Sequence, residues 1–126
     1  MMSRSLNLLL LAFLGLFAFI TPAAAGPDFW TMWQHRNTCM QKDAQVLAAI
    51  MKFCSRNFYT GTPYAVDGAS QGKVRINVSA YCKLGTFVPK EWCESQMLET
   101  CATGGKKGRN FRKYDNGCQG FWIGGS

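Results

Sequence analysis

The chain has 126 residues, with 14 lysine and arginine residues against 7 acidic residues, one histidine and 6 cysteines. This length favours a single domain. Hydrophobic residues make up 48% of the chain and charged residues 17%, a composition that excludes an intrinsically disordered protein. The sequence contains no glycine-rich phosphate loop, no CxxC pair and no HExxH motif, so the corresponding nucleotide, redox and zinc-protease classes are not indicated.

Residues 1–25 have the pattern of a secretory signal peptide. Arg4 precedes the apolar run Leu6–Ile20, Pro22 follows the run and would break a helix, and an alanine triplet supplies a small-residue cleavage site. A membrane anchor is the alternative, but the run is shorter than the ~20 residues of a membrane span. We therefore expect a secreted, extracellular domain of residues 26–126. It keeps all 6 cysteines, and its formal charge falls from +7 to +6 because only Arg4 is lost.

The first half of this domain predicts one long helix. Residues 28–35 are rich in aromatic side chains and are expected to be extended. Thr38 is a candidate N-cap for a helix over residues 39–56, where apolar side chains recur at helical spacing. Residues 60–72 are rich in glycine, serine and threonine and predict a loop, with a short edge strand at 64–66.

The second half predicts a strand, a helix and a hairpin. Apolar and polar side chains alternate strictly over residues 73–81, which predicts a half-buried strand of an antiparallel sheet. Pro89 suits the first turn of a second helix, and Gly104 suits its end. Residues 109–114 and 118–123 then predict two strands joined by an Asp-Asn-Gly turn.

These elements predict an α+β fold in which two helices pack on one face of an antiparallel sheet. A ferredoxin-like or split βαβ sandwich is the expected arrangement.

An even number of cysteines in a short secreted chain predicts a disulfide framework. Six cysteines allow 15 pairings. Cys39 and Cys54 would lie roughly 22 Å apart on one helix, and Cys93 and Cys101 roughly 12 Å apart on the other. Both distances exceed the limit of about 7 Å for a bridge, which leaves ten pairings. The cysteines expected to form bridges are Cys39, Cys54, Cys82, Cys93, Cys101 and Cys118. A zinc site is the alternative, but the spacings give no zinc knuckle.

A basic run near the C-terminus is the candidate binding surface. It consists of Lys106, Lys107, Arg109, Arg112 and Lys113, and we include Tyr114 because aromatic residues interleave with the cations. Such a run can bind anionic lipid or a polyanion. The alternative is a solvated loop and strand edge whose lysines discourage edge-to-edge pairing. For a secreted protein the expected partners are a host extracellular protein, a cell-wall glycan or an anionic membrane surface, rather than nucleic acid.

Asn77, Val78 and Ser79 form an N-glycosylation sequon. Asn77 falls on the polar face of the predicted strand, so a glycan is sterically possible there.

Candidate catalytic residues are few. His35 is the only histidine. A small hydrolase or ribonuclease would need it beside a carboxylate and an arginine, with Glu91, Glu94, Glu99 and Arg36 as the possible partners. Acidic residues at the start of a helix are, however, explained by the helix dipole. The sequence therefore predicts no catalytic residue, no metal site and no cofactor, and we expect the protein not to be an enzyme.

Four features of the sequence belong together: the leader, DFWTMWQHRNTC before a helix, EWCESQMLETCATG and the ending GCQGFWI. They carry a resemblance to small secreted cysteine-rich fungal effectors. It spans roughly residues 28–123 and extends to the virally encoded killer-toxin-like proteins of smut fungi. It implies two helices on an antiparallel sheet and a toxin-like or host-directed activity. It implies no site residue, because that family has no agreed catalytic motif.

Three functional hypotheses follow. The first is an effector or virulence-type protein that binds a host or cell-wall component without catalysis. The second is a cationic killer toxin or antimicrobial protein that perturbs membranes. The third is a small secreted hydrolase or ribonuclease that uses His35.

Overall fold

A computed structural model describes residues 26–126, so the proposed signal peptide and its cleavage site lie outside the described residues. The helices are α1 (Phe29–Lys42), α2 (Ala44–Phe53), α3 (Pro63–Asp67) and α4 (Lys90–Ala102). The strands are β1 (Phe58–Tyr59), β2 (Ala69–Gln71), β3 (Val74–Ala80), β4 (Phe87–Val88), β5 (Asn110–Tyr114) and β6 (Gln119–Gly125).

Four strands form the main sheet, in the order β2-β3-β6-β5, and all neighbours are antiparallel. Strands β1 and β4 form a separate two-stranded antiparallel sheet. Side chains of β3 alternate between buried and half-exposed from Val74 to Ser79, as the sequence predicted, whereas Ala80 at the end of the strand is exposed. The α+β class and the antiparallel sheet are therefore confirmed.

The helices cover one face of the main sheet, and the hydrophobic core lies between the two layers. Helix α2 contributes Val46, Ile50 and Phe53 to this core, and the sheet contributes alternate side chains of β3 and β6. The largest fully buried sheet and α4 side chains are Phe121, Ile76, Ile123, Val74, Val78, Met97 and Leu98. The opposite face of the main sheet carries no helix of the described chain.

The first helix begins ten residues earlier than the sequence predicted. Asp28 is its N-cap, and the Asp28 carboxylate accepts a hydrogen bond from the Thr31 backbone N–H at 3.2 Å. The predictions of an extended segment over 28–35 and of a Thr38 cap are therefore wrong. An aspartate cap satisfies the exposed amides of the first turn, so a helix starts there although the segment lacks an amphipathic pattern.

The predicted helix over residues 39–56 is divided at Asp43. This residue has an extended backbone (φ −163°, ψ 111°) and ends α1. Its carboxylate then accepts a hydrogen bond from the Gln45 backbone N–H at 2.9 Å, which caps α2. Aspartate competes with helix continuation because its short side chain bonds to nearby amides.

The predicted loop over residues 60–72 contains regular structure. Thr62 caps α3 and Pro63 occupies its first turn, the arrangement that favours helix initiation. The predicted edge strand at 64–66 is therefore helical, and the edge strand is β2 instead. The second long helix and the C-terminal hairpin match their predictions closely.

Three disulfides account for all six cysteines, so the predicted framework is confirmed. The pairs are Cys39–Cys101, Cys54–Cys93 and Cys82–Cys118, one of the ten combinations that the sequence left open. The first two join α1 and the end of α2 to α4. The third joins the end of β3 to the start of β6. No thiolate is left to bind zinc.

The ferredoxin-like arrangement is not confirmed. The described residues begin with a helix where that fold begins with a strand. The main sheet also recruits both strands of the C-terminal hairpin beside β3, so its order differs from a split βαβ pattern. None of the helices in residues 26–126 has both the length and the apolar character needed to cross a membrane.

Candidate functional site

Strand β5 divides the predicted basic run between the two faces of the sheet. Successive side chains of a strand point to opposite faces. Arg112 and Tyr114 face helix α4, whereas Phe111 and Lys113 lie on the uncovered face. The run that is continuous in sequence is therefore not one continuous surface.

The two arginines of the run form ion pairs with neighbouring elements. Arg109 Nη1 lies 3.2 Å from Asp43 Oδ2, at the junction of α1 and α2. Arg112 Nη2 lies 3.4 Å from Glu99 Oε1 on α4, and Arg112 Nη1 donates to Thr103 Oγ1 at 3.1 Å. These contacts attach β5 to the helical layer, so both charges are partly neutralised within the protein.

Tyr114 is also a structural residue. Its hydroxyl donates towards Glu99 Oε1 at 2.7 Å and lies 3.2 Å from the Gln96 carbonyl oxygen. Its ring packs edge-on against Phe121 at a centroid distance of 5.1 Å. The pKa of Tyr114 is raised to about 12, mainly by burial and in smaller part by the neighbouring Glu99 carboxylate. Tyr114 therefore anchors β5 to α4 and offers little surface to a ligand.

Lys106 and Lys107 are exposed and lie at the tip of a turn after α4. The Gly108 N–H donates to the Gly105 carbonyl oxygen at 2.9 Å and closes this turn. Gly108 has a positive φ of 73°, and a Cβ there would collide with the Cys101 sulfur, so the turn requires glycine. The two lysines are separated from Lys113 by the paired arginines.

A different surface brings chemistry-bearing side chains together. On the uncovered face of the main sheet, six side chains line an open trough of about 380 Å³, here called the outer trough. They are Arg75, Asn77, Ser79, Tyr81, Phe111 and Trp122. The strand register places Asn77, Trp122 and Phe111 side by side across β3, β6 and β5. Neither aspartate nor glutamate is among the six.

The aromatic side chains of the outer trough lie close against the backbone of β6. A Cβ added to Gly120 would collide with the rings of Tyr81 and Phe111, and one added to Gly124 would collide with the indole of Trp122. Glycine at these two positions therefore allows the rings to approach the sheet backbone closely. Tyr81 and Phe111 also meet edge to face, at a centroid distance of 6.1 Å.

Two cations flank these rings. Lys113 Nζ lies 4.4 Å from the centre of the Tyr81 ring, a cation–π contact. Arg75 donates from Nε and Nη2 to the Asp67 carbonyl oxygen at 3.3 and 3.1 Å, which fixes the guanidinium beside the trough. Lys113 is thus the one member of the predicted basic run that lies beside the outer trough.

Asn77 lies half-buried at the centre of the outer trough, opposite Trp122. The predicted polar face for this residue is confirmed, and its occupancy by a glycan stays a prediction. A glycan attached at Asn77 would begin between the aromatic rings.

Two residues of the hydrolase hypothesis line the same cavity. Arg36 and Glu94 line a small cavity of about 70 Å³ beside α1, and His35 is not among its lining residues. Residues 26–126 contain no group of three or more His, Cys, Asp or Glu side chains placed to hold a metal ion.

The outer trough could not be predicted from the sequence because its members come from three strands and the loop after β3. The alternation of residues 73–81 did predict a polar face with Arg75, Asn77 and Ser79. The alignment of Phe111 and Trp122 beside that face depends on strand register, which the sequence does not specify.

Comparisons with protein-family models, with curated proteins and with solved structures find no match to this chain.

Proposed function

We propose that the protein is a secreted, effector-type protein that binds a host or cell-wall component without catalysis, and that the outer trough is its binding surface. The observation that carries this proposal is the set of partly exposed aromatic side chains packed close over Gly120 and Gly124 on an uncovered sheet face. Aromatic side chains that are held in place and exposed to solvent give a large contact area with little loss of side-chain entropy on binding.

Two further features support the proposal, one for secretion and one for the effector class. Three disulfides in a small α+β domain are typical of proteins that work in an oxidising, extracellular environment. Helices on one face of an antiparallel sheet also agree with the layering that the resemblance to killer-toxin-like effectors implies. Membership of that family is part of the proposal.

Retention on cell-wall material and on intact host cells tests the proposal. The disulfide-bonded, unglycosylated protein is mixed with each material and sedimented, and the bound fraction is measured. Phe111→Ala removes one of the aromatic side chains that line the outer trough. Tyr59→Ala removes an aromatic side chain of similar exposure on the separate small sheet. We expect Phe111→Ala to weaken retention about tenfold and Tyr59→Ala to leave it within twofold.

Lack of retention of the wild-type protein on both materials would overturn the proposal. Equal effects of the two substitutions would also overturn it, because the binding surface would then lie outside the trough.

A membrane-perturbing toxin is the second candidate, and a separate observation favours it. Helix α1 exposes Phe29, Trp30 and Trp33, and the two indoles stack at a centroid distance of 5.2 Å. Tryptophan and phenylalanine on an exposed helix face are typical of helices that lie in a membrane interface.

Dye release from vesicles of anionic lipid tests this candidate. Release that is lost in Trp30→Ala and Trp33→Ala, and retained in Phe111→Ala, would support the toxin and assign the activity to α1. Intact vesicles at micromolar protein would exclude it.

A further inference from the structure

We propose that the ligand of the outer trough is an acidic polysaccharide, whose sugar rings stack on the aromatic faces while its carboxylates meet Arg75 and Lys113. This inference rests on the proposed function, since it names the chemical class that the same surface would bind. The charge, the spacing and the polar groups of the trough support it.

The charged side chains that line or flank the trough are positive. Arg75 and Lys113 flank the rings, and all six lining residues are cationic, polar or aromatic. Arg75 is held by its contacts with the Asp67 carbonyl oxygen, and within residues 26–126 no hydrogen bond engages its Nη1. A guanidinium fixed in this way can donate to a carboxylate with little further loss of side-chain conformational entropy. An anionic ligand therefore complements the trough, and a neutral one leaves both cations unmatched.

The spacing of the two cations indicates an oligomer. Arg75 lies opposite Gly124, and Lys113 lies opposite Gly120. A strand rises about 3.4 Å per residue and neighbouring strands lie about 4.8 Å apart, so the two Cα atoms are roughly 17 Å apart. The rings of Phe111 and Trp122 lie between them. A ligand that reaches both cations must therefore be several sugar units long, which an open trough permits and a closed pocket would not.

The polar groups between the rings favour a sugar over a nucleic acid. The Asn77 amide and the Ser79 hydroxyl both donate and accept hydrogen bonds, as the hydroxyl groups of a pyranose require. Single-stranded nucleic acids are bound by a continuous cationic groove that follows the phosphates. The outer trough offers two cations at opposite corners, and Lys106 and Lys107 lie on a separate turn.

Titration calorimetry with defined probes tests the inference. The probes are an oligosaccharide of galacturonic acid, the same oligosaccharide with every carboxylate methyl-esterified, and a single-stranded oligonucleotide of equal charge. The protein is produced without a glycan at Asn77. We expect the acidic oligosaccharide to bind at least tenfold more tightly than its ester and than the oligonucleotide, and its affinity to fall as salt is raised.

A matched pair of double variants assigns the charge effect. Arg75→Gln with Lys113→Gln removes two cations at the trough, and Lys106→Gln with Lys107→Gln removes two exposed cations elsewhere. We expect the double variant at Arg75 and Lys113 to weaken binding of the acidic oligosaccharide about tenfold. We expect the double variant at Lys106 and Lys107 to change this binding less than threefold. Equal thermal unfolding of both variants shows that the fold is retained.

Three results would overturn the inference: binding of the ester as tight as that of the acid, tighter binding of the oligonucleotide, or equal effects of the two double variants. These results are distinct from failure of the proposed function. Retention on cell walls that needs Phe111, together with indifference to the carboxylates, would leave the trough as the binding surface and refute only the acidic ligand.

Discussion

Lys42 provides the sharpest test of how the helical layer is held together. It is the last residue of α1, and its Nζ reaches the C-terminal end of α4. There it donates to the carbonyl oxygens of Ala102 at 2.6 Å and Gly104 at 2.9 Å, with the Cys101 carbonyl oxygen at 3.5 Å. Carbonyl groups at the end of a helix lack intrahelical partners, and the negative end of the helix dipole favours a cation there. The Cys101 carbonyl oxygen also accepts from the Gly104 N–H at 3.1 Å, so Lys42 serves mainly the carbonyls of Ala102 and Gly104.

Lys42→Met keeps the aliphatic stem of the side chain and removes the charge. Hydrogen bonds from a charged donor contribute about 1.5–3 kcal/mol, and the partly buried carbonyls would lose their partner. We therefore expect the free energy of unfolding to fall by about 2 kcal/mol. With a urea dependence of about 2 kcal/mol per molar, this loss moves the unfolding midpoint down by about 1 M.

Lys52→Met is the matched control, because Lys52 lies exposed in the last turn of α2. Both variants are unfolded in urea with the disulfides intact, and tryptophan fluorescence follows the transition. We expect the control to stay within about 0.5 kcal/mol of the wild type. A Lys42→Met midpoint equal to that of the wild type, or a control that loses as much, would refute the capping argument.

The remaining predictions concern a bridge, a tyrosine and a glycan. Replacing Cys39 and Cys101 by alanine opens a link of sequence separation 62. It is expected to cost about 4 kcal/mol of unfolding free energy in urea, and a loss under about 1 kcal/mol would contradict the entropic account. The pKa of Tyr114 is raised from 10.0 to about 12, so the folded state keeps a proton that the unfolded state releases. The contribution of the protonated Tyr114 hydroxyl to the free energy of unfolding is therefore fully present below pH 10 and declines as the pH rises to about 12. A Tyr114→Phe variant whose urea midpoint declines equally over this pH range would disprove this assignment. A glycan on Asn77, detected by intact mass, is expected to abolish retention on cell walls, and equal retention of the glycosylated form would contradict the position of the trough.

Local patterns predicted the elements that have a strong period or clear end signals. Strand β3 alternates along its whole length, and α4 lies between Pro89 and Gly104. The early start of α1 was missed because its aromatic residues suggested a strand, while the cap depends on the single residue Asp28. The division at Asp43 was missed because the apolar spacing of α2 continues the phase of a longer helix.

The candidate surface could not be located from the order of residues alone. Five cations within eight residues suggest one patch, but a strand separates neighbours onto opposite faces. Arg109 and Arg112 then meet acidic residues that lie far away in the sequence. The outer trough shows the converse case, in which residues that are distant in sequence come together. Phe111 and Trp122 are far along the chain from Asn77 and meet it through strand register.

The three disulfides have a shared order that bears on how the chain acquires them. The first three cysteines, at positions 39, 54 and 82, all pair with the last three, at 93, 101 and 118. During synthesis from the N-terminus, the early thiols therefore meet one another before any correct partner has been made. Any bond formed in that interval must be broken by thiol–disulfide exchange, so efficient production of the protein is expected to depend on a disulfide isomerase.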